Sequence, residues 1–188
     1  DGAMSGRIVV FAGPSLAPAD RADHGRIEFR PPAACGDLYA VARAAERPAA
    51  IGLIDGLFET AASPWHKEIL WALSRGIPVA GAASLGALRA AEMRPFGMIG
   101  CGAIYRAFAA GRLTDDDEVA IEHGPAELGW RPISEPLVSF QTRAEVRGAV
   151  PALLRIVLHF PLDRRRDLRV VFHCHDLRPI RGERLPDV

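Results

Sequence analysis

Two residues of this chain have the types and settings to do chemistry. Lys67, in SPWHKEILWAL (63–73), is the single lysine against twenty-two arginines. A lysine can give up its proton when its surroundings press it to, which an arginine in practice cannot. An Arg-favouring composition offers the other explanation, that the remaining lysine carries no meaning. Ser84 lies in VAGAASLGALRAAE (79–92), where a short apolar run meets a helical pattern. Ala82-Ala83-Ser84-Leu85-Gly86 has the spacing of a G-x-S-x-G nucleophile elbow with Ala in the first position. At such a turn the hydroxyl stands clear, and the backbone N–H groups of Leu85 and Gly86 can face a developing oxyanion. The plain alternative is a serine that caps its helix.

A serine nucleophile needs a base. Ser63 followed by Pro64 reads as a helix start, with Ser as N-cap and Pro in the first helical position. That puts Lys67 near the first turn, where the positive end of the helix dipole opposes a cation. Helical spacing makes Ile69, Leu70 and Leu73 the buried stripe, with Lys67 on its flank and His66 packed toward its middle. Partial burial and the dipole both favour a neutral amine, the condition for a Ser-Lys pair. Asp55 and Glu59, in GLIDGLFE (52–59), follow an apolar run, where an α/β sheet presents functional groups; each either positions Lys67 or caps the next segment. Arg89 either meets a substrate carboxylate or pairs with a surface acid. The run Asp115-Asp116-Asp117-Glu118 reads as a solvated loop or a docking surface. Gly13-Pro14-Ser15 follows an apolar run but lacks the Gly-Lys-Ser/Thr ending of a phosphate loop.

These residues need a scaffold that brings strand ends and helix starts together. RIVVFAG (7–13), AIGLIDG (50–56) and IPVAGAA (77–83) read as short buried strands. DLYAVARAAE (37–46), PWHKEILWALSR (64–75), LGALRAAEM (85–93) and CGAIYRAFAAG (101–111) read as helices between and after them. The alternation predicts a single α/β domain with a mostly parallel sheet flanked by helices. EVAIEHG (118–124) is expected as a further strand, and AEVRGAVPALLRIVLHF (144–160) as a helix interrupted at Pro151. The expected organisation is an extension over 1–6, a core over 7–160 and an Arg-rich tail over 161–188.

Composition bounds the function. A chain of 188 residues with 49% hydrophobic residues can bury one core. No run approaches the roughly 18 apolar residues that span a bilayer, and the N-terminal residues lack a signal-peptide pattern, so a soluble cytoplasmic protein without a membrane partner is expected. Zero net charge argues against nucleic acid as partner. Cys35, Cys101 and Cys174 form no C-x-x-C pair, so neither a disulfide framework nor a zinc site is indicated. From 143 to 188 ten arginines face six acids, a charge of +4. His173-Cys174-His175 in that stretch suggests copper, but the further His and Met ligands do not follow, so no metal site is expected.

Gly13-Pro14-Ser15-Leu16, Arg30-Pro31-Pro32-Ala33, Gly52-Leu53-Ile54-Asp55-Gly56, WHKEILWALSRG (65–76), GAASLGALRAAEM (81–93), Pro95-Phe96-Gly97-Met98, DDDEVAIEHGPAELG (115–129) and Arg131-Pro132-Ile133-Ser134-Glu135 together resemble the TfuA-like family. The likeness runs in order over 7–139, about 70% of the chain. It implies a partner of YcaO enzymes in peptide backbone thioamidation, where sulfur replaces an amide oxygen. It further implies that a Ser-Lys pair, here Ser84 and Lys67, hydrolyses the thiocarboxylate of a ubiquitin-like carrier of the ThiS type, with no cofactor. Two alternatives stay open: a non-catalytic YcaO adaptor, and a small serine hydrolase pairing Ser84 with a later histidine such as His123.

Overall fold

The computed structural model describes residues 6–16, 18–21, 25–57 and 61–119, together with Gly124, Glu127 and Leu153. Three apolar runs form the sheet's centre: β1 (Ile8–Phe11), β3 (Ala50–Leu53) and β4 (Val79–Ala82), buried at every position. Continuous rather than alternating hydrophobicity is what a parallel strand covered on both faces requires. The two edges are β2 (Ile27–Arg30) and β5 (Ile99–Cys101). All neighbours pair in parallel, in the order β2-β1-β3-β4-β5.

Four helices flank the sheet: α1 (Asp37–Ala42), α2 (His66–Ser74), α3 (Ser84–Met93) and α4 (Gly102–Ala109). On one face Val9, Phe11, Ile51, Leu53 and Val79 pack with Leu38 of α1, Ile69 of α2 and Met93 of α3. The alternate residues Ile8, Val10, Ala50, Ala80 and Ala82 pack on the other face with Leu16 and Leu153. The α/β expectation therefore holds, and the chain forms a single mixed α/β unit. Among the described residues no helix is long and apolar enough to cross a membrane, and none of them form a candidate metal cluster.

The edge strands were not legible as apolar runs. β2 is half-buried and carries Glu28, which takes hydrogen bonds from Arg7 and Arg30. Burial works against the Glu28 carboxylate, but these two guanidiniums hold it below its usual range. β5 is three residues long, with Gly100 at its centre. Of the strand expected over 118–124, Glu118 and Val119 lie in a turn and 120–123 fall outside the described residues. Of the helix expected over 144–160, only Leu153 is described; it is helical and buried. The tail over 161–188, with Cys174 and its flanking histidines, lies outside the described residues.

Strand order reverses beside β1: the chain steps from β1 to β2 on one side, then crosses back to β3 on the other. Such a switch point opens a crevice at the carboxyl ends of β1 and β3, where doubly wound folds place their sites. One step along the sheet, β4 delivers the chain into α3 with almost no clearance. A Cβ on Gly86 would stand 1.9 Å from the carbonyl oxygen of Leu53, and one on Gly81 would stand 2.1 Å from that of Gly86. Both obstacles are backbone, so neither can swing away. Gly86→Ala is expected to destabilise the protein by about 3 kcal/mol or more, at the upper end of overpacking costs. Chemical denaturation checks this, and an alanine variant as stable as the parent would contradict the close approach.

Candidate functional site

The site end of the sheet is organised by two buried carboxylates. Asp55, just past β3 and fully buried, accepts hydrogen bonds from the Gly13 N–H at 2.7 Å, the Ser15 N–H at 3.1 Å and the Ser15 hydroxyl at 2.6 Å. The loop after β1 thus wraps a carboxylate of its own chain. Its amide donors, which a phosphate loop would offer to a ligand, are committed to Asp55. Arg21 completes the loop by donating to the carbonyls of Gly13 and Leu16. These contacts belong to neither of the two alternatives drawn for Asp55: they make it an organiser of the switch-point loop. Glu59 lies outside the described residues.

The second carboxylate is Glu68, 7% exposed. It reaches back to the Trp65 N–H at 2.9 Å and takes the Tyr39 N–H at 3.2 Å. One side chain therefore satisfies free donors at the starts of both α2 and α1, where intrahelical acceptors are missing. Sequence reasoning passed over Glu68, although an acid three residues after the capping position is a known start signal. The signal also corrects the helix boundary: Trp65, not Ser63, is the N-cap. Ser63 and Pro64 instead serve Arg89, whose guanidinium donates to the Pro64 carbonyl, the Ser63 hydroxyl and Glu92. Arg89 is thus a strut between α3 and the approach to α2, with a surface acid as its ionic partner.

Lys67 sits in the first turn of α2, as expected, but its side chain is exposed rather than partly buried. The buried face of α2 is Glu68, Ile69 and Ala72, which leaves Leu70 37% exposed. The reason is Glu68, which turns inward to cap two helices and so fixes the rotation of α2. His66, expected to pack inward, is exposed and lies 2.8 Å from Glu92. Among the described residues the Lys67 side chain has no hydrogen-bonding partner, and the Ser84 hydroxyl is bonded to Val119 instead.

Ser84 is the first residue of α3, and it differs from both readings drawn from sequence. The capping position belongs to Ala83, whose φ of 62° and ψ of −139° are those of a strained turn. No other described non-glycine residue has a positive φ. Holding it costs about 1–3 kcal/mol, and such strain clusters at functional sites. The chain does take a strained turn between β4 and α3, and the strained residue is the one before the serine. Ser84 is 4% exposed, and its hydroxyl donates to the Val119 carbonyl at 2.9 Å instead of standing clear.

The oxyanion donors divide. The Gly86 N–H donates to the Ile54 carbonyl at 3.1 Å, which removes it from the expected pair. The Leu85 N–H, in the first turn, has no acceptor among the described residues. Beyond Ser84 the acidic run behaves as a solvated loop: Asp115, Asp116 and Asp117 are exposed, and Glu118 accepts the Thr114 and Asp115 N–H groups.

An exposed cysteine stands nearby. The Cys35 thiol is pushed up from its ordinary value by desolvation, by the Glu68 carboxylate beside it and by Asp37, so it stays protonated. Iodoacetamide at pH 8 is expected to alkylate Cys35 more slowly than an unstructured cysteine peptide; equal or faster labelling would contradict that environment. Removing the other organiser has a larger effect. Asp55→Ala leaves the Gly13 and Ser15 donors without their acceptor, at an expected loss of about 2–4 kcal/mol, measured by denaturant unfolding; a loss below half a kcal/mol would contradict the role given to Asp55.

A protein-family model described as TfuA-like protein matches residues 55–152, just over half of the chain. The matched stretch begins at Asp55 and contains Lys67, Ser84 and Arg89. A search of curated proteins finds no match.

Proposed function

The chain belongs to the TfuA-like family, which suggests a role in thioamide-forming systems, and we propose that it supplies their sulfur. In this reading it hydrolyses the thiocarboxylate of a ubiquitin-like, ThiS-type carrier for a YcaO enzyme, with Ser84 as nucleophile and Lys67 as base. The observation that carries the reading is the strained backbone of Ala83. It sets a serine at the head of a helix beside the carboxyl end of β3, and backbone strain of this kind clusters at functional sites.

The chemistry balances without a cofactor. The Ser84 hydroxyl leaves the Val119 carbonyl, its Oγ attacks the thiocarboxylate carbon, and its proton passes to Nζ of Lys67. The oxyanion faces the Leu85 N–H and the positive end of α3. As the C–S bond breaks, Lys67 returns the proton to sulfur, so hydrosulfide departs rather than the doubly charged sulfide ion. Water then cleaves the ester, releasing the carrier carboxylate and restoring Ser84. The small residues around Ser84, from Gly81 to Ala83, suit the thin Gly-Gly tail of such a carrier.

A second reading has its own support. The Val119 carbonyl occupies the Ser84 hydroxyl and Lys67 is exposed, which is what a non-catalytic adaptor for YcaO would show, with Lys67 as a docking charge. His123, the base of the serine-hydrolase alternative, lies outside the described residues.

Two substitutions separate the readings. Ser84→Ala leaves the Val119 carbonyl without its donor, costing only about 1 kcal/mol, and is expected to abolish sulfide release from a thiocarboxylated carrier. Lys67→Arg keeps the charge but cannot accept the serine proton, so release should fall by about 10²–10⁴-fold, the scale of general-base catalysis. Activity of the Arg variant within a few-fold of the parent would leave the adaptor reading standing.

A further inference from the structure

The outer faces of α1 and α2 carry a row of aromatic and cationic side chains that the core does not use. Tyr39 and Trp71 meet edge to face, with ring centroids 5.4 Å apart. The Arg43 guanidinium lies 5.5 Å from the Tyr39 ring at one end, and that of Arg75 lies 5.6 Å from the Trp71 ring at the other. Tyr39 is 38% exposed, Trp71 39% and Leu70 37%. Tyr39 and Trp71 touch, so their exposed surface is contiguous, and contiguous apolar surface of this kind marks interaction sites.

The charges say what kind of partner fits. Among the described residues neither Arg43 nor Arg75 has a carboxylate partner. The acids on the two helices themselves are occupied: Glu68 caps both and Asp37 accepts the Ala34 N–H. A guanidinium held near a ring in this way keeps N–H donors for a carboxylate. The row's two ends are no more than about three helical turns apart, within reach of one short helix or strand. The chain's own residues 143–188 carry +4 and have the wrong sign to cover the row.

We propose that the row Arg43, Tyr39, Trp71, Arg75 is a docking surface for a partner protein that presents carboxylates flanking apolar side chains. Tyr, Trp and Arg are the residues that anchor such interfaces. The inference does not rest on Ser84 as nucleophile, and sulfide release measured alongside keeps the two apart.

The test is selection of a phage-displayed peptide library on the full chain, followed by fluorescence anisotropy with the most enriched peptide. Enriched peptides are expected to place Asp or Glu on either side of aromatic or aliphatic residues. Their affinity should fall at least tenfold on Arg43→Glu/Arg75→Glu, at least severalfold on Trp71→Ala, and with rising salt. If the charge-reversed protein fails to fold by circular dichroism, Arg43→Gln/Arg75→Gln takes its place. Peptides without acidic enrichment, or peptides that bind the variant as well as the parent, would overturn the proposal. So would an oligouridine ligand that the variant loses, which would make the row a nucleic-acid surface. A dimer in sedimentation velocity that the variant loses would also overturn it, because a second copy would then cover the row.

Discussion

Helix α3 approaches the ends of β3 and β4 so closely that no side chain fits between them, and much of the candidate site follows from that constraint. Gly86 rests against the carbonyls of Leu53 and Ile54 and donates its own N–H to the latter. Gly81 leaves room on the strand for the Gly86 carbonyl. A chain that leaves a parallel strand and turns at once into so close a helix has one residue in which to reverse. Ala83 takes that turn at positive φ and so puts Ser84 at the head of the helix. The strain at Ala83 is thus paid in backbone conformation and recovered in the packing of Leu85, Ala87 and Ala90, all of them fully buried.

Beside this junction, two carboxylates take backbone donors from the neighbouring loop and helix starts. Asp55 gathers the loop after β1, and Glu68 gathers the starts of α1 and α2. Buried carboxylates are tolerable only when several donors meet them, and here each accepts at least two hydrogen bonds. Because Glu68 turns inward, α2 is rotated so that Lys67, Leu70 and Trp71 face outward. The inward acid thereby connects the two functional proposals: it determines both where the single lysine stands and why aromatic side chains are displayed beside it.

What could be read from sequence followed the strength of the physical signal. β1, β3 and β4 are continuous apolar runs because both their faces are buried, and such runs are legible. β2 alternates polar residues at an edge and β5 is three residues long, so neither stands out from a loop. The strand-to-helix junction at Ser84 was legible through its glycine and serine spacing. That Ala83 takes the strain was not, since alanine carries no mark of positive φ. Burial of Lys67 was inferred from an apolar stripe of Ile69, Leu70 and Leu73, but an acid, Glu68, takes an inward place that apolar spacing cannot show. The helix start reads two residues too early, because Ser63-Pro64 is a stronger local signal than the Trp65-to-Glu68 cap that prevails. The switch-point role of Asp55 depends on strand order, which no local pattern encodes. The contacts of Arg89 with Ser63 and Pro64 depend on how α3 lies against the approach to α2, whereas its pairing with a surface acid, Glu92, was among the expectations.

Rapid acid quenching of the chain mixed with a thiocarboxylated ThiS-type carrier, followed by peptide mass spectrometry, tests most directly whether Ser84 forms the acyl intermediate. The proposed chemistry predicts the carrier's C-terminal glycine joined as an ester to the peptide containing Ser84, formed before hydrosulfide is complete and absent from Ser84→Ala. Hydrosulfide released with no adduct on Ser84, or with the carrier joined to Cys35 instead, would contradict it.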